Sequence, residues 1–190
     1  MRIGVCVSGN GSNLRNLVER GFDVVAVATN RPSCAGAGFA RESGIPVGEL
    51  SQKGFASAED RDAAMRDFFI AHRAQLVVDA GYDRVHTAPM LESFGGRIIN
   101  VHPSLLPAFA GGMDAIERAL AAGVSETGAT VHVVTGDLDA GPILVQERVP
   151  ILLGDTRETL LERVHGAEFR LLPKAIAMME AKLAHSPAVG

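Results

Sequence analysis

Three short stretches of the sequence hold side chains whose types and spacing could support chemistry. In Asn100-Val101-His102-Pro103-Ser104-Leu105-Leu106-Pro107 an amide and an imidazole alternate at the end of an apolar run. If that run is a strand, both project from one face at its C-terminal end, where open α/β sheets bind their ligands. There the pair could donate hydrogen bonds to an oxygen that becomes negative in a transition state; a histidine at a strand end can also be purely structural. Asp139 stands in the turn Asp137-Leu138-Asp139-Ala140-Gly141-Pro142. Aspartates in turns commonly satisfy nearby backbone. Asp139 gains a chemical role only if it reaches His102, because a neighbouring carboxylate favours the charged ring. The third stretch is Ser8-Gly9-Asn10-Gly11-Ser12-Asn13. Between a strand and a helix, such a turn aims unpaired N–H groups and the helix dipole at an anion; without a ligand it is a tight turn and nothing more. A dinucleotide fingerprint would need glycine where Leu14 stands and an acidic residue where Thr29-Asn30 end the second apolar run, so a single phosphate is expected rather than NAD.

The elements that must position these groups follow from periodicity. Strands are expected at Arg2–Ser8, Asp23–Thr29, Pro46–Leu50, Gln75–Ala80 and Arg97–Val101, with helices at Ser12–Arg20, near Gly36–Glu42 and at Ala58–His72. This rhythm implies a mostly parallel, Rossmann-like sheet with helices on both faces. After a helix near Asp114–Ala122, the alternating, Val- and Thr-rich Ala129–Val134 and the run Ile143–Pro150 flank the Asp-rich turn and predict an added antiparallel hairpin. A long amphipathic helix, Thr156–Ala184, closes the chain, with Pro173 expected to kink or break it. There is no internal repeat or linker, so residues 1–190 are expected to form a single domain.

Composition narrows the function. Hydrophobic residues make up 47% and charged residues 21% of 190, as in a globular domain with its own core. No apolar run is long enough to span a bilayer and no signal-peptide pattern opens the chain, so a cytoplasmic protein is expected. A net charge of −4, no Trp and a single Tyr argue against a nucleic-acid surface. The two cysteines, Cys6 and Cys34, belong to no metal-binding spacing; Cys6, inside the first strand, reads as a buried thiol, and no metal is expected.

The three stretches, in this order, resemble the folate-dependent formyltransferases over nearly the whole chain. The resemblance includes Gly81-Tyr82-x-Arg84, Asn100–Pro107, Thr127-Gly128-Ala129-Thr130-Val131-His132 and Leu138-Asp139-x-Gly141-Pro142. The Ser-Gly-Asn-Gly-Ser-Asn opening is similar to the branch acting on glycinamide ribonucleotide. That resemblance implies transfer of a formyl group from 10-formyltetrahydrofolate, as cosubstrate, to the ribonucleotide amine in purine synthesis. It puts Asn100, His102 and Asp139 on the catalytic trio, Gly11, Ser12 and Asn13 on the phosphate site and Glu168 at the ribose. Arg61, Asp83, Arg84, Val85, His86, Asn100, Ala140 and Gly141 fall on formyl-folate contacts, and Thr130 near the reacting groups.

The sequence departs from the family pattern at Asp79, Asp83 and His86, where apolar residues are usual, and at Ala110-Gly111-Gly112, which replaces Pro-Gly and is one residue longer. Within the family, the tRNA-acting branch and the formyl-folate hydrolases carry additional domains that these 190 residues are not expected to include. A non-catalytic nucleotide-binding module would account for the glycine turn but not for the trio.

Overall fold

The computed structural model describes residues 1–185. Its seven strands are β1 (Ile3–Val7), β2 (Val24–Thr29), β3 (Val47–Glu49), β4 (Leu76–Asp79), β5 (Ile98–His102), β6 (Glu126–Val133) and β7 (Ile143–Pro150). They form one sheet in the order β3-β2-β1-β4-β5-β6-β7. β1 to β5 pair in parallel, and β6 and β7 are added antiparallel. The chain leaves β1 toward one edge and returns through β4 toward the other, so loops diverge between β1 and β4 and open a crevice at their C-terminal ends.

The helices are α1 (Ser12–Glu19), α2 (Ala35–Glu42), α3 (Ala58–Ala71), α4 (Ala88–Ser93), α5 (Ala115–Ala121) and α6 (Arg157–His185). On one face Leu14, Leu17, Ile116, Leu160, Val164, Leu172 and Ile176 pack against Val5, Val78 and Val131. On the other, Met65, Phe69, Met90 and Phe94 cover Cys6, Ala28 and Val77. The strands buried on both faces are the continuous apolar runs, as parallel sheets require. Among the described residues no helix is long and apolar enough to cross a membrane.

Two elements escape the periodicity: α4 and a 3-10 turn at Gln52–Gly54. Both are short, and α4 opens on Thr87 with a proline in its first turn, a position proline tolerates. β6 begins at Glu126, three residues before the alternation becomes evident, because Glu126, Thr127 and Gly128 pair with Pro150, Val149 and Arg148. α6 runs unbroken through Pro173. Proline removes the N–H that would serve the carbonyl four residues earlier; here Asn16 Nδ2 of α1 donates to that carbonyl, Phe169 O, at 3.3 Å. The missing bond is replaced from a neighbouring helix.

Candidate active site

The C-terminal ends of β1, β4 and β5 and the turn before β7 enclose a cleft of about 390 Å³. Asn100 and His102 sit at the end of β5. The turn after β6 brings Asp139, 37 residues beyond His102, to 3.4 Å between its Oδ2 and the ring Nδ1. Asp139 also accepts the Gly111 N–H at 2.8 Å and lies 3.4 Å from Asn100 Nδ2 and from His132 Nε2. Its backbone is left-handed, φ 52°, a costly conformation outside glycine. Packing holds it there: a Cβ at Gly141 would lie 1.8 Å from Val133 O, so only glycine lets the turn close so tightly on β6.

His102 is 4% exposed. Its Nε2 lies 3.1 Å from Phe109 O, so both ring nitrogens face acceptors, which is the environment of an imidazolium. Burial opposes that charge and outweighs Asp139 and the Phe109 carbonyl, leaving the ring pKa below its ordinary 6.5. The ring is therefore neutral in the resting cleft near pH 7, in contrast to the charged histidine that a neighbouring carboxylate by itself would imply, and acceptors stand ready on both sides for the proton it gains. Burial pushes the Asp139 carboxyl up, but His132, the Gly111 N–H and His102 together bring it below its usual range, so it is a carboxylate at neutral pH.

His132 is a member of this group that the sequence reading gave no role. It pairs directly opposite Asn100 across β5 and β6. Its Nδ1 is 3.0 Å from Val133 O, and its Nε2 lies between Asn100 Nδ2 at 3.1 Å and Asp139 Oδ1 at 3.4 Å. Recognising it required the strand register, which fixes who faces whom.

The loop of residues 109–112 is tied by Arg118 as well as by His102 and Asp139. The Arg118 guanidinium donates to Phe109 O at 2.7 Å, to Ala110 O at 3.1 Å and also to Gly111 O. It thereby fixes the carbonyl that meets His102 and the N–H that meets Asp139. Thr130 does not line the cleft. It is fully buried, donates to Ser104 O at 2.6 Å and accepts from Leu106 N at 3.1 Å, and so anchors the segment after His102.

At the other end of the cleft, Gly9 to Asn13 connect β1 to α1. Gly11 is left-handed, φ 72°, and its Cα abuts Gly36, where an added Cβ would come within 2.5 Å. α1 has no side-chain cap and no acidic residue in its first turn, so its leading N–H groups are free for an anion. Asn13 Nδ2 donates to Glu168 Oε2 at 2.8 Å, and Asn13 Oδ1 is buried without a hydrogen-bond partner. Burial pushes the Glu168 carboxyl up to about 7 despite the Asn13 bond.

The third wall is the loop of residues 80–87 after β4. Asp83, Arg84, Val85 and His86 all border the cleft. Asp83 accepts from Asn30 Nδ2 at 2.7 Å and pairs with Arg31, while Ser8 Oγ accepts its N–H at 3.0 Å. His86 Nε2 lies 3.0 Å from both Asp79 oxygens; burial disfavours its charge, but Asp79 and Asp62 more than compensate and raise its pKa. Asp79 and His86 thus face one another as a buried pair. Arg61 does not border the cleft: 3% exposed, it pairs with Asp62 and donates to Val85 O at 3.3 Å, supporting the loop from behind. Nor do Ala140 and Gly141, which shape the Asp139 turn instead.

Residues 1–176 match the formyl transferase family. The chain is 43% identical over 183 residues to the phosphoribosylglycinamide formyltransferase of Mycobacterium tuberculosis, covering 94% of this chain and 84% of that protein. It is 41% identical over 186 residues to the trifunctional purine biosynthetic protein adenosine-3 of Drosophila melanogaster, with 94% of this chain matched, and spans 14% of that protein's length. The crystal structure of glycinamide ribonucleotide transformylase 1 from Symbiobacterium toebii superposes with a TM-score of 0.88 at 41% identity, over 93% of this chain and 85% of that one. Phosphoribosylglycinamide formyltransferase from Bacillus halodurans gives 0.90 at 34% identity, over 96% and 97%. With matches of this length and identity, the chain belongs to the formyl transferase family.

Proposed function

We propose that this chain transfers the formyl group of 10-formyltetrahydrofolate to the amine of glycinamide ribonucleotide, in the cytoplasm and by direct acyl transfer. The observation that carries the reading is the convergence of Asn100, His102 and Asp139 in one cleft with an uncapped helix N-terminus. The phosphate would dock on the N–H groups of Gly11, Ser12 and Asn13, where charge-assisted bonds and the helix dipole add. That orientation takes the ribose toward Asn13 and Glu168; the buried, unpartnered Asn13 Oδ1 calls for a donor, which a ribose hydroxyl supplies. The formyl-folate would lie along the 80–87 loop, where Val85, Met113 and Leu138 keep apolar surface exposed at the cleft mouth.

In the reaction the amine nitrogen attacks the formyl carbon, the new C–N bond forms, and the carbonyl electrons move onto oxygen. Asn100 donates to that oxygen through Nδ2. Neutral His102 takes the proton that the attacking nitrogen must lose, becomes an imidazolium held by Asp139 and Phe109 O, and returns the proton to the folate nitrogen as its bond to carbon breaks. The bond-making step calls on no metal.

The test is to mix purified protein with both substrates and follow formation of tetrahydrofolate and formylated ribonucleotide. Equal folate turnover with and without the ribonucleotide would indicate hydrolysis instead and reject the proposal.

A further inference from the structure

Beneath the 80–87 loop lies a group of side chains to which the acyl-transfer steps give no chemical part. Cys6 on β1 and Asp79 on β4 are register partners on adjacent strands, and His86 returns over them from the loop. The Cys6 Sγ, an Asp79 oxygen and a His86 ring nitrogen all lie within 4.8 Å of one another, and all three residues are buried. Asp79 is the one charged residue of Leu76–Asp79, an otherwise apolar strand. Tyr82 stacks on His86 with ring centroids 5.4 Å apart, and its hydroxyl is buried without a hydrogen-bond partner, as is His86 Nδ1. So the pocket holds a thiol, a carboxylate, an imidazole and an unsatisfied phenol together.

We propose that Cys6, Asp79 and His86 form a buried binding site for a zinc-like divalent cation that pins the 80–87 loop to the sheet. The donor set of one sulfur, one nitrogen and one oxygen is a zinc set. Bond lengths of about 2.0–2.3 Å around a tetrahedral ion put ligand atoms roughly 3.3–3.7 Å apart. The 3.0 Å His86–Asp79 separation and the 4.8 Å outer limit bracket that range, so side-chain adjustments suffice. Tyr82, stacked on His86 with its hydroxyl unpartnered, borders this set.

Charge supports the assignment. A thiolate and a carboxylate neutralise a divalent ion, and the neighbouring Arg61–Asp62 pair is already balanced, so the loaded site buries no net charge. Binding breaks the Cys6 S–H bond and forms a metal–sulfur bond; the thiol proton leaves to solvent, as does the His86 proton when the ring carries one. Before a cation arrives, burial and the nearby Asp79 and Asp62 hold the Cys6 thiol protonated, resting 3.8 Å from Met65 Sδ. Asp79 and His86 border the cleft, which gives the ion a path inward.

Cobalt(II) tests the site, because thiolate ligation gives a charge-transfer band that oxygen and nitrogen ligands do not. Titrating the purified chain should give this band with one equivalent, displaced by zinc(II). With only two cysteines in the sequence, the band must survive Cys34→Ser and vanish in Cys6→Ser; His86→Gln should weaken binding at least tenfold. A wild-type chain that gives no thiolate band, or a band that persists in Cys6→Ser, overturns the proposal. If Cys6→Ser does not fold, anomalous diffraction from zinc-soaked wild-type crystals decides: a peak bonded to Cys6 Sγ supports the site, and no peak there rejects it.

Discussion

Glu168 offers a test in which stability and function pull in opposite directions. The carboxyl is 4% exposed, accepts one hydrogen bond from Asn13, and is pushed by burial from an ordinary 4.5 up to about 7. Between those pH values the folded chain keeps a proton on Glu168 that the unfolded chain has lost. Stability therefore falls as pH rises through the window, and the penalty is fully developed above about pH 7. At about 1.4 kcal/mol for each tenfold change in ionisation constant, the penalty is about 3 kcal/mol.

Glu168→Gln keeps the shape and an acceptor for Asn13 but cannot ionise. It should match the wild type in urea unfolding near pH 4.5 and exceed it by about 3 kcal/mol at pH 8.5. That is a midpoint shift of about 1.5 M for an m-value near 2 kcal/mol/M. The other carboxylates titrate in both proteins and cancel in the difference. A stability difference that does not change with pH, or a variant less stable than wild type at pH 8.5, would refute the assigned ionisation. The same substitution should weaken ribonucleotide binding, which is the physical reason for a destabilising acid to occupy this position.

Asp139→Asn should lower kcat by roughly 10²–10⁴ while ribonucleotide affinity, read by titration calorimetry, stays within about threefold; near-normal turnover removes Asp139 from the chemistry. The kcat/KM profile should fall toward acid as His102 protonates, with its midpoint below 6.5 because burial lowers the ring, and the limb should persist in Glu168→Gln; a limb centred above 6.5 in that variant contradicts the neutral resting ring. Gly11→Val, at φ 72° and with its Cβ forced against Gly36, should weaken ribonucleotide binding at least tenfold and leave folate binding alone; the reverse pattern would exchange the two subsites. Arg118→Met releases three loop carbonyls and should reduce kcat by about ten- to a hundredfold with little change in KM; an unchanged kcat means the loop holds its shape without it.

The fold was legible because its signals are local. Apolar runs broken by helical periodicity specify a parallel layer, and the strand at Val24–Thr29 ends where Asn30-Arg31-Pro32 begin. Parts of the cleft were legible for the same reason: the Asn100–His102 alternation and the turn at Gly11 announce themselves within a few residues. What the sequence hides is pairing across the fold. His132 matters only once β6 is registered against β5. Arg61, which the family resemblance puts on a formyl-folate contact, is drawn inside by Asp62 and Val85 O. Asp79 and His86 read separately as two charges out of place and make sense only as neighbours.

The closing helix shows how far this dependence reaches. By periodicity α6 is packing material, and its apolar side chains do cover β6, β7 and α1. Yet the turn of residues 9–13, proposed to hold the phosphate, is referenced to it at two successive turns of α1. Asn13 is tied to Glu168, and Asn16 reaches Phe169 O, the carbonyl that Pro173 deprives of its helical partner. A proline in mid-helix would ordinarily cost about 3 kcal/mol. Here the carbonyl it frees is the one α1 uses to dock, so the residue that should weaken the helix creates an acceptor at the site's edge. The start of α1, which must hold its N–H groups still to bind an anion, is thus positioned by residues 153 and 155 places away in the chain. Restoring the helical N–H at position 173 would satisfy Phe169 O within α6 and remove part of the reason for α1 to sit where it does.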